Sequence, residues 1–161
     1  MKVSLIILFL CSFISHSGYA QKPAETIPIF IFYNLDNTPF TNRNLIVGKA
    51  KLIVFFDVTC DHCRQTIKTL SSRFKECNKL SVYLISIDDK IKINEFLNLF
   101  GRNLPGKKNV TILMDLREQF IKLFKPRKYP SVFLYSSENK LLLYDDQDLY
   151  LDKFFKIINA L

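Results

Sequence analysis

Lys51 to Val58 (KLIVFFDV) is a continuous apolar run of strand length, and Asp61 to Cys77 follows it almost at once. Within that second stretch Cys63, Ile67, Leu70, Phe74 and Cys77 recur at spacings of three and four. An unbroken apolar run suits a strand buried on both faces, and a three-and-four period suits a helix with one buried stripe. A buried strand feeding directly into such a helix commits the chain to a sheet with helices packed against it.

The flanking sequence continues the alternation. Ile27 to Tyr33 reads as a strand and Leu35 to Pro39 as a turn. Leu80 to Ile87 is a further strand, followed by Asp88 and Asp89 at the start of a helix over Ile91 to Phe100 that Gly101 closes. A basic loop, Asn103 to Asn109, leads to a strand at Val110 to Met114 and a helix at Leu116 to Phe124. After Pro126 and Pro130, Ser131 to Tyr135 and Lys140 to Tyr144 read as two strands paired across Ser136–Asn139. An amphipathic helix over Leu149 to Leu161, with Asp148 as N-cap, ends the chain. Asp145, Asp146 and Asp148 are expected to serve turns and caps rather than a cation. The order is β–β–α–β–α–β–α–β–β–α in one α/β domain, its sheet covered on both faces.

With 161 residues, 48% hydrophobic, the chain has room for one domain and is too apolar for disorder. Four glycines leave no Gly-rich nucleotide cradle. Residues 1–20 have the layout of a secretory signal peptide: Lys2, an apolar stretch from Val3 to Ile14, and small residues at Gly18 and Ala20 before a cut at Gln21. The expectation is a domain over residues 21–161, exported to the periplasm or secreted. Membrane association follows only if residues 3–14 remain as an uncleaved anchor. Leu10 before Cys11 argues against a lipidation site. The formal charge of +8 falls to +7 once Lys2 leaves with that segment. Clusters at Arg102, Lys107, Lys108 and at Lys122, Lys125, Arg127, Lys128 read as a solvated basic face, and export makes nucleic acid an improbable partner.

The chemistry lies at the strand–helix junction. Cys60-Asp61-His62-Cys63 puts two sulfurs across the first turn of a helix, where unpaired backbone N–H groups and the helix dipole favour a thiolate. Cys60 is expected to face outward as the attacking sulfur and Cys63, which begins the apolar stripe, to be the buried resolving one. Together they could close a small disulfide ring. A protonated His62 would stabilise the Cys60 thiolate, and Asp61 would oppose it. Both could equally be plain loop residues.

Other uses fit these residues less well. A structural disulfide across so short a loop gains little stability. Zinc needs two more ligands, and Cys77 lies roughly 21 Å further along a continuous helix. Haem attachment needs His after the second Cys, where Arg64 stands. No metal or cofactor is expected, and Cys77 reads as a small buried hydrophobe.

Tyr129-Pro130-Ser131 opens a later strand, and with it the pattern resembles the thioredoxin fold: strand, CxxC, helix, then an X-Pro before a hairpin and a last helix. The resemblance implies a cis Tyr129–Pro130 bond whose loop faces the cysteines and receives an extended client chain. The extra strand and helix at Val110–Phe124 and an N-terminal β-hairpin around Ile27–Phe40 are similar to those of the TlpA/ResA-like, AhpC/TSA-related redoxins. Asn34 to Cys63, with Thr38-Pro39-Phe40 and FFDVTCDHC, carries most of that likeness. It implies a central mixed sheet flanked by helices. It also implies a redox-active Cys60–Cys63 pair exchanging disulfides with protein thiols and a redox partner protein, with a monomer favoured.

Three positions depart from the family pattern. Thr59 replaces the usual Trp, Val54 replaces thioredoxin's buried acid, and Thr66 replaces the carboxylate of some ResA-like proteins. No proton acceptor for Cys63 is thereby identified. Asp57-Val58-Thr59-Cys60 also lacks the Thr-x-x-Cys pattern of a peroxidatic cysteine. The rival reading is a non-catalytic thioredoxin-like interaction module in which Cys60–Cys63 is a structural bridge.

Overall fold

The structure, a computed structural model, describes residues 22–161. The segment expected to be a signal peptide, with Cys11 and His16, lies outside the described residues. The chain forms one seven-stranded mixed sheet. In chain order the elements are β1 (Ile31–Asn34), β2 (Pro39–Thr41), β3 (Lys51–Phe55), α1 (Asp61–Ser72), β4 (Ser81–Ser86), α2 (Lys90–Phe100), β5 (Val110–Met114), α3 (Phe120–Phe124), β6 (Ser131–Tyr135), β7 (Leu141–Asp145) and α4 (Asp152–Ile158). The sheet order is β2-β1-β5-β4-β3-β6-β7. β3, β4 and β5 run parallel, while β1, β2, β6 and β7 join antiparallel to their neighbours. This is the α/β thioredoxin-like architecture, with β1 and β2 as the N-terminal hairpin.

Alternation along the central strands divides the core in two. Leu52, Val54, Val82, Leu84, Val132 and Leu134 face a layer of α1, α2 and α4, including Ile67, Leu70, Phe96 and Phe154. Ile53, Phe55, Tyr83, Ile85, Phe133 and Tyr135 face the other way, onto α3 and the N-terminal segment. That second layer is largely aromatic. Phe120 stacks on Phe55 at 4.1 Å and on Phe124 at 4.3 Å, and Phe30 stacks on Phe32 at 4.5 Å. The Phe-rich, Trp-free composition is spent here.

Several boundaries differ from the sequence reading, each for a local reason. The helix expected over Asp61–Cys77 stops at Ser72, and Phe74–Cys77 is a separate 3-10 turn. Arg73 leaves helical geometry (φ −98°, ψ 14°), and its guanidinium bonds Glu76 at 2.6 Å and Asp152 at 2.7 Å. The helix expected from Leu116 begins only at Phe120, because the Asp115 carboxylate caps the N–H groups of Gln119 and Phe120 from outside it. The last helix is shorter too. Leu151, left-handed at φ 57°, occupies its N-cap, and Asp148 accepts the Lys153 N–H instead. Pro39–Thr41 is a strand that the residue pattern alone did not separate from the turn. At three residues and opening on proline, it suits only the sheet edge it occupies. Asp89 caps α2 as expected through Lys92 N–H at 3.0 Å. No helix among the described residues is long and apolar enough to cross a membrane.

Phe120, fully buried at the centre of the aromatic layer, tests that division. Phe120→Ala is expected to destabilise the fold by about 3–5 kcal/mol, measured by urea unfolding. A loss below about 1 kcal/mol would mean the layer repacks freely.

Candidate functional site

The parallel run of β3, β4 and β5 points three strand ends the same way, and β6, antiparallel, begins at that end. Four connections therefore meet there: Phe56–Cys60 after β3, Ile87–Asp89 after β4, Asp115 after β5 and Tyr129–Pro130 before β6. Such a carboxyl end of parallel strands is where open α/β sheets place their sites.

Cys60 is the N-cap of α1, with extended backbone (φ −81°, ψ 120°), and its sulfur accepts the Cys63 N–H at 3.4 Å. A sulfur thus does what a Ser or Asp oxygen does at most helix starts. Cys60 is half-buried and Cys63 fully buried. The two lie 3.1 Å apart, both as thiols. Burial pushes the Cys63 thiol well above the ordinary range; the Asp57 N–H, donating to its sulfur at 3.5 Å, opposes this, while contact with Cys60 and the Asp57 charge add to it.

Asp61 and His62 are both exposed. Asp61 pairs with Arg64 at 2.5 Å, so part of its charge is already compensated. Cys77, the last residue of the 3-10 turn, lies in the core, and burial pushes its thiol up to about 12. Thr66 is buried with its hydroxyl unpartnered, so this position supplies no carboxylate.

The Tyr129–Pro130 bond is cis. Phe55 pairs with Ser131, and one further step of that register sets Pro130 opposite Phe56. The Tyr129 ring lies 4.7 Å from that of Phe55, and burial, with the charges of Asp57, Asp88, Cys63 and Asp115, raises its phenol to about 12. The loop is tied down from β7. Asp146, 4% exposed, takes two bonds from Arg127 at 2.8 and 3.0 Å and one from the Tyr144 hydroxyl at 3.0 Å. Tyr144 in turn accepts the Arg127 N–H at 2.9 Å and lies 3.1 Å from the Ser131 hydroxyl.

Three acids at this end escaped the sequence reading as site residues. Asp57 receives the Thr59 N–H and hydroxyl at 2.7 and 2.6 Å. Asp88, expected at the start of α2, instead accepts the Val58 N–H at 3.2 Å and the Ser86 hydroxyl at 2.9 Å. Asp115 is buried, and burial raises its carboxyl despite the N–H groups of Phe120 and Gln119. The available signal was an aspartate just past each of three apolar strands. Among the described residues no group of three or more His, Cys, Asp or Glu is placed to hold a metal.

Residues 23–143 match the model of the AhpC/TSA family. The fold is similar to that of a thioredoxin-like protein from Aeropyrum pernix, at 14% identity and TM-score 0.69 over 83% of this chain and 89% of that one. A putative thiol:disulfide interchange protein DsbE from Chlorobium tepidum matches at 16% identity and TM-score 0.69, over 87% and 97%. A secreted Mycobacterium tuberculosis disulfide oxidoreductase homologous to E. coli DsbE matches at 18% identity and TM-score 0.64, over 82% and 96%. No curated protein matches the chain.

The difference in burial between the thiols has a direct chemical readout. In the reduced protein Cys60 is expected to be alkylated first by iodoacetamide, ahead of Cys63 and Cys77, as followed by mass mapping over time. Preferential labelling of either buried thiol would reverse the assignment.

Proposed function

The chain belongs to the AhpC/TSA family, and from that premise we propose that it is an exported thiol–disulfide oxidoreductase acting on partner proteins through Cys60 and Cys63. The observation that carries this reading is a half-buried sulfur at a helix N-terminus with a second, fully buried sulfur 3.1 Å away. The Cys60 thiolate attacks one sulfur of a partner disulfide, and the other partner sulfur leaves as a thiolate. Cys63 then attacks the Cys60 sulfur, closing the Cys60–Cys63 bond and releasing the second partner thiol. Two electrons pass to the partner. Run backwards, the same steps oxidise a dithiol.

In this reading the Tyr129–Pro130 loop, anchored through Arg127 and Asp146, receives the client backbone beside the sulfurs. Residues 1–20 act as the signal peptide that delivers the domain to the periplasm or the outside. The partners are protein thiols and disulfides, with a redox protein to reset the pair, and no cofactor takes part. The interaction-module reading requires a Cys60–Cys63 bond that ordinary thiols do not reduce. The half-buried Cys60 favours exchange instead.

Cys63→Ser is expected to accumulate mixed disulfides with protein clients, seen as dithiothreitol-sensitive bands on non-reducing gels, and Cys60→Ser to form none. Mixed disulfides with small thiols alone would argue against protein clients. His62 offers a second test, because an imidazolium stabilises the thiolate and hence the reduced state. His62→Ala is expected to move the potential negative by less than about 30 mV, since the residue is exposed. A positive shift, measured against glutathione, would contradict this electrostatic role.

A further inference from the structure

The exchange cycle leaves a proton unaccounted for. Cys63 is buried and its thiol is held protonated at neutral pH, yet it must act as a thiolate to attack Cys60. Neither residue that could have held an acid beneath it does so: Val54 is apolar and Thr66 carries a hydroxyl.

The titratable groups around Cys63 come from five places. Cys60 lies at the start of its helix, with the Arg64–Asp61 pair beyond. Asp57 lies in the β3–α1 connection, Asp88 after β4, Asp115 after β5 and Tyr129 before β6. Asp115 is committed to two N–H groups of α3. Asp88 accepts the Val58 N–H and the Ser86 hydroxyl and, unlike Asp57, makes no hydrogen bond to Cys63. Tyr129, raised to about 12, keeps its own proton. Asp57 remains. Its N–H touches the Cys63 sulfur at 3.5 Å, and Thr59 holds its carboxylate through two short bonds on the same turn. It is also the carboxylate whose charge acts on Cys63. That negative charge is one of the causes that keep the proton on Cys63 while the pair is at rest.

Building on the exchange reading, we propose that Asp57 is the proton acceptor for Cys63 in the resolving step. The Cys63 thiol gives its proton to the Asp57 carboxylate, directly or through one water. The resulting thiolate attacks the Cys60 sulfur of the mixed disulfide, and the bond from Cys60 to the client sulfur breaks. The client sulfur leaves with the electron pair and takes the proton back from Asp57. The products are the Cys60–Cys63 disulfide, a client thiol and an ionised Asp57. Thr59 stands in this account as the positioning residue.

The two steps separate in a stopped-flow reaction of the reduced protein with 5,5′-dithiobis(2-nitrobenzoate). Attack by Cys60 releases one thionitrobenzoate, and resolution by Cys63 releases a second. Asp57→Asn, which keeps the backbone N–H, is expected to slow the second phase at least about tenfold more than the first at neutral pH. The deficit should shrink as pH rises and hydroxide takes over as acceptor, and Asp57→Glu should recover part of the rate. A second phase within about twofold of the wild type, or equal slowing of both phases, would overturn the assignment. If Asp57→Asn does not fold, the wild-type profile decides. A second-phase rate that levels off around neutral pH supports an internal acceptor, and a tenfold rise per pH unit throughout refutes it. Absence of a second phase in the wild type, with Cys63→Ser behaving identically, would remove the exchange reading and this assignment with it.

Discussion

The passage from β3 into α1 is held by every backbone donor it has. Phe56 N–H goes to the Ile85 carbonyl, Asp57 N–H to the Cys63 sulfur and Val58 N–H to the Asp88 carboxylate. Thr59 N–H goes to the Asp57 carboxylate and Cys60 N–H to the Asp57 carbonyl. A turn at the end of a buried strand must satisfy such groups or lose stability for each. Here the partners that satisfy them are two backbone carbonyls, two aspartate carboxylates and the Cys63 sulfur. The hydrogen bonds that fix the turn are therefore the same ones that set the sulfurs in place.

The two faces of the sheet contribute differently to that end of the molecule. The aliphatic layer buries Cys63 against α2 and the sheet, removing its thiol from water. The aromatic layer carries Phe55, on which Tyr129 packs, so the loop before β6 rests on the wall that supports β3. From the far edge, Asp146 and Tyr144 hold Arg127 and Ser131 and so bracket the same loop. The buried Asp146 carboxylate is matched by a bidentate guanidinium and the Tyr144 hydroxyl together, so its desolvation is offset by three hydrogen bonds that also fix the loop's geometry.

Much of this was legible in the sequence where one signal dominated. The β3 run and the apolar stripe of α1 each point to one element, and the α/β order followed from them, while the CxxC spacing marked their junction as the place of the chemistry. The cis bond before β6 was legible only through family likeness, because Tyr129-Pro130 carries no local mark of its isomer. Helix ends were misread where a side chain outside the helix sits at them: Arg73 binding Asp152 is a tertiary contact, whereas Asp115 capping α3 and Asp148 reaching Lys153 are local bonds across four or five residues that an apolar period does not register. Asp57 was read as part of the β3 run and Asp88 as the start of a helix: the Cys63 sulfur comes back to Asp57 only through the turn into α1, and Val58 meets Asp88 only once β3 and β4 lie side by side.

The central claim is that Cys60 and Cys63 form one exchangeable pair, and a redox titration with thiol-trapping gel shift tests it most directly. The account requires a single two-electron transition confined to these two residues, with Cys77 remaining a thiol throughout. Its midpoint should fall between about −270 and −120 mV, the span of soluble thioredoxin-fold exchangers. A pair that stays oxidised below about −300 mV, or one that never forms, would make the motif structural or inert and contradict the account.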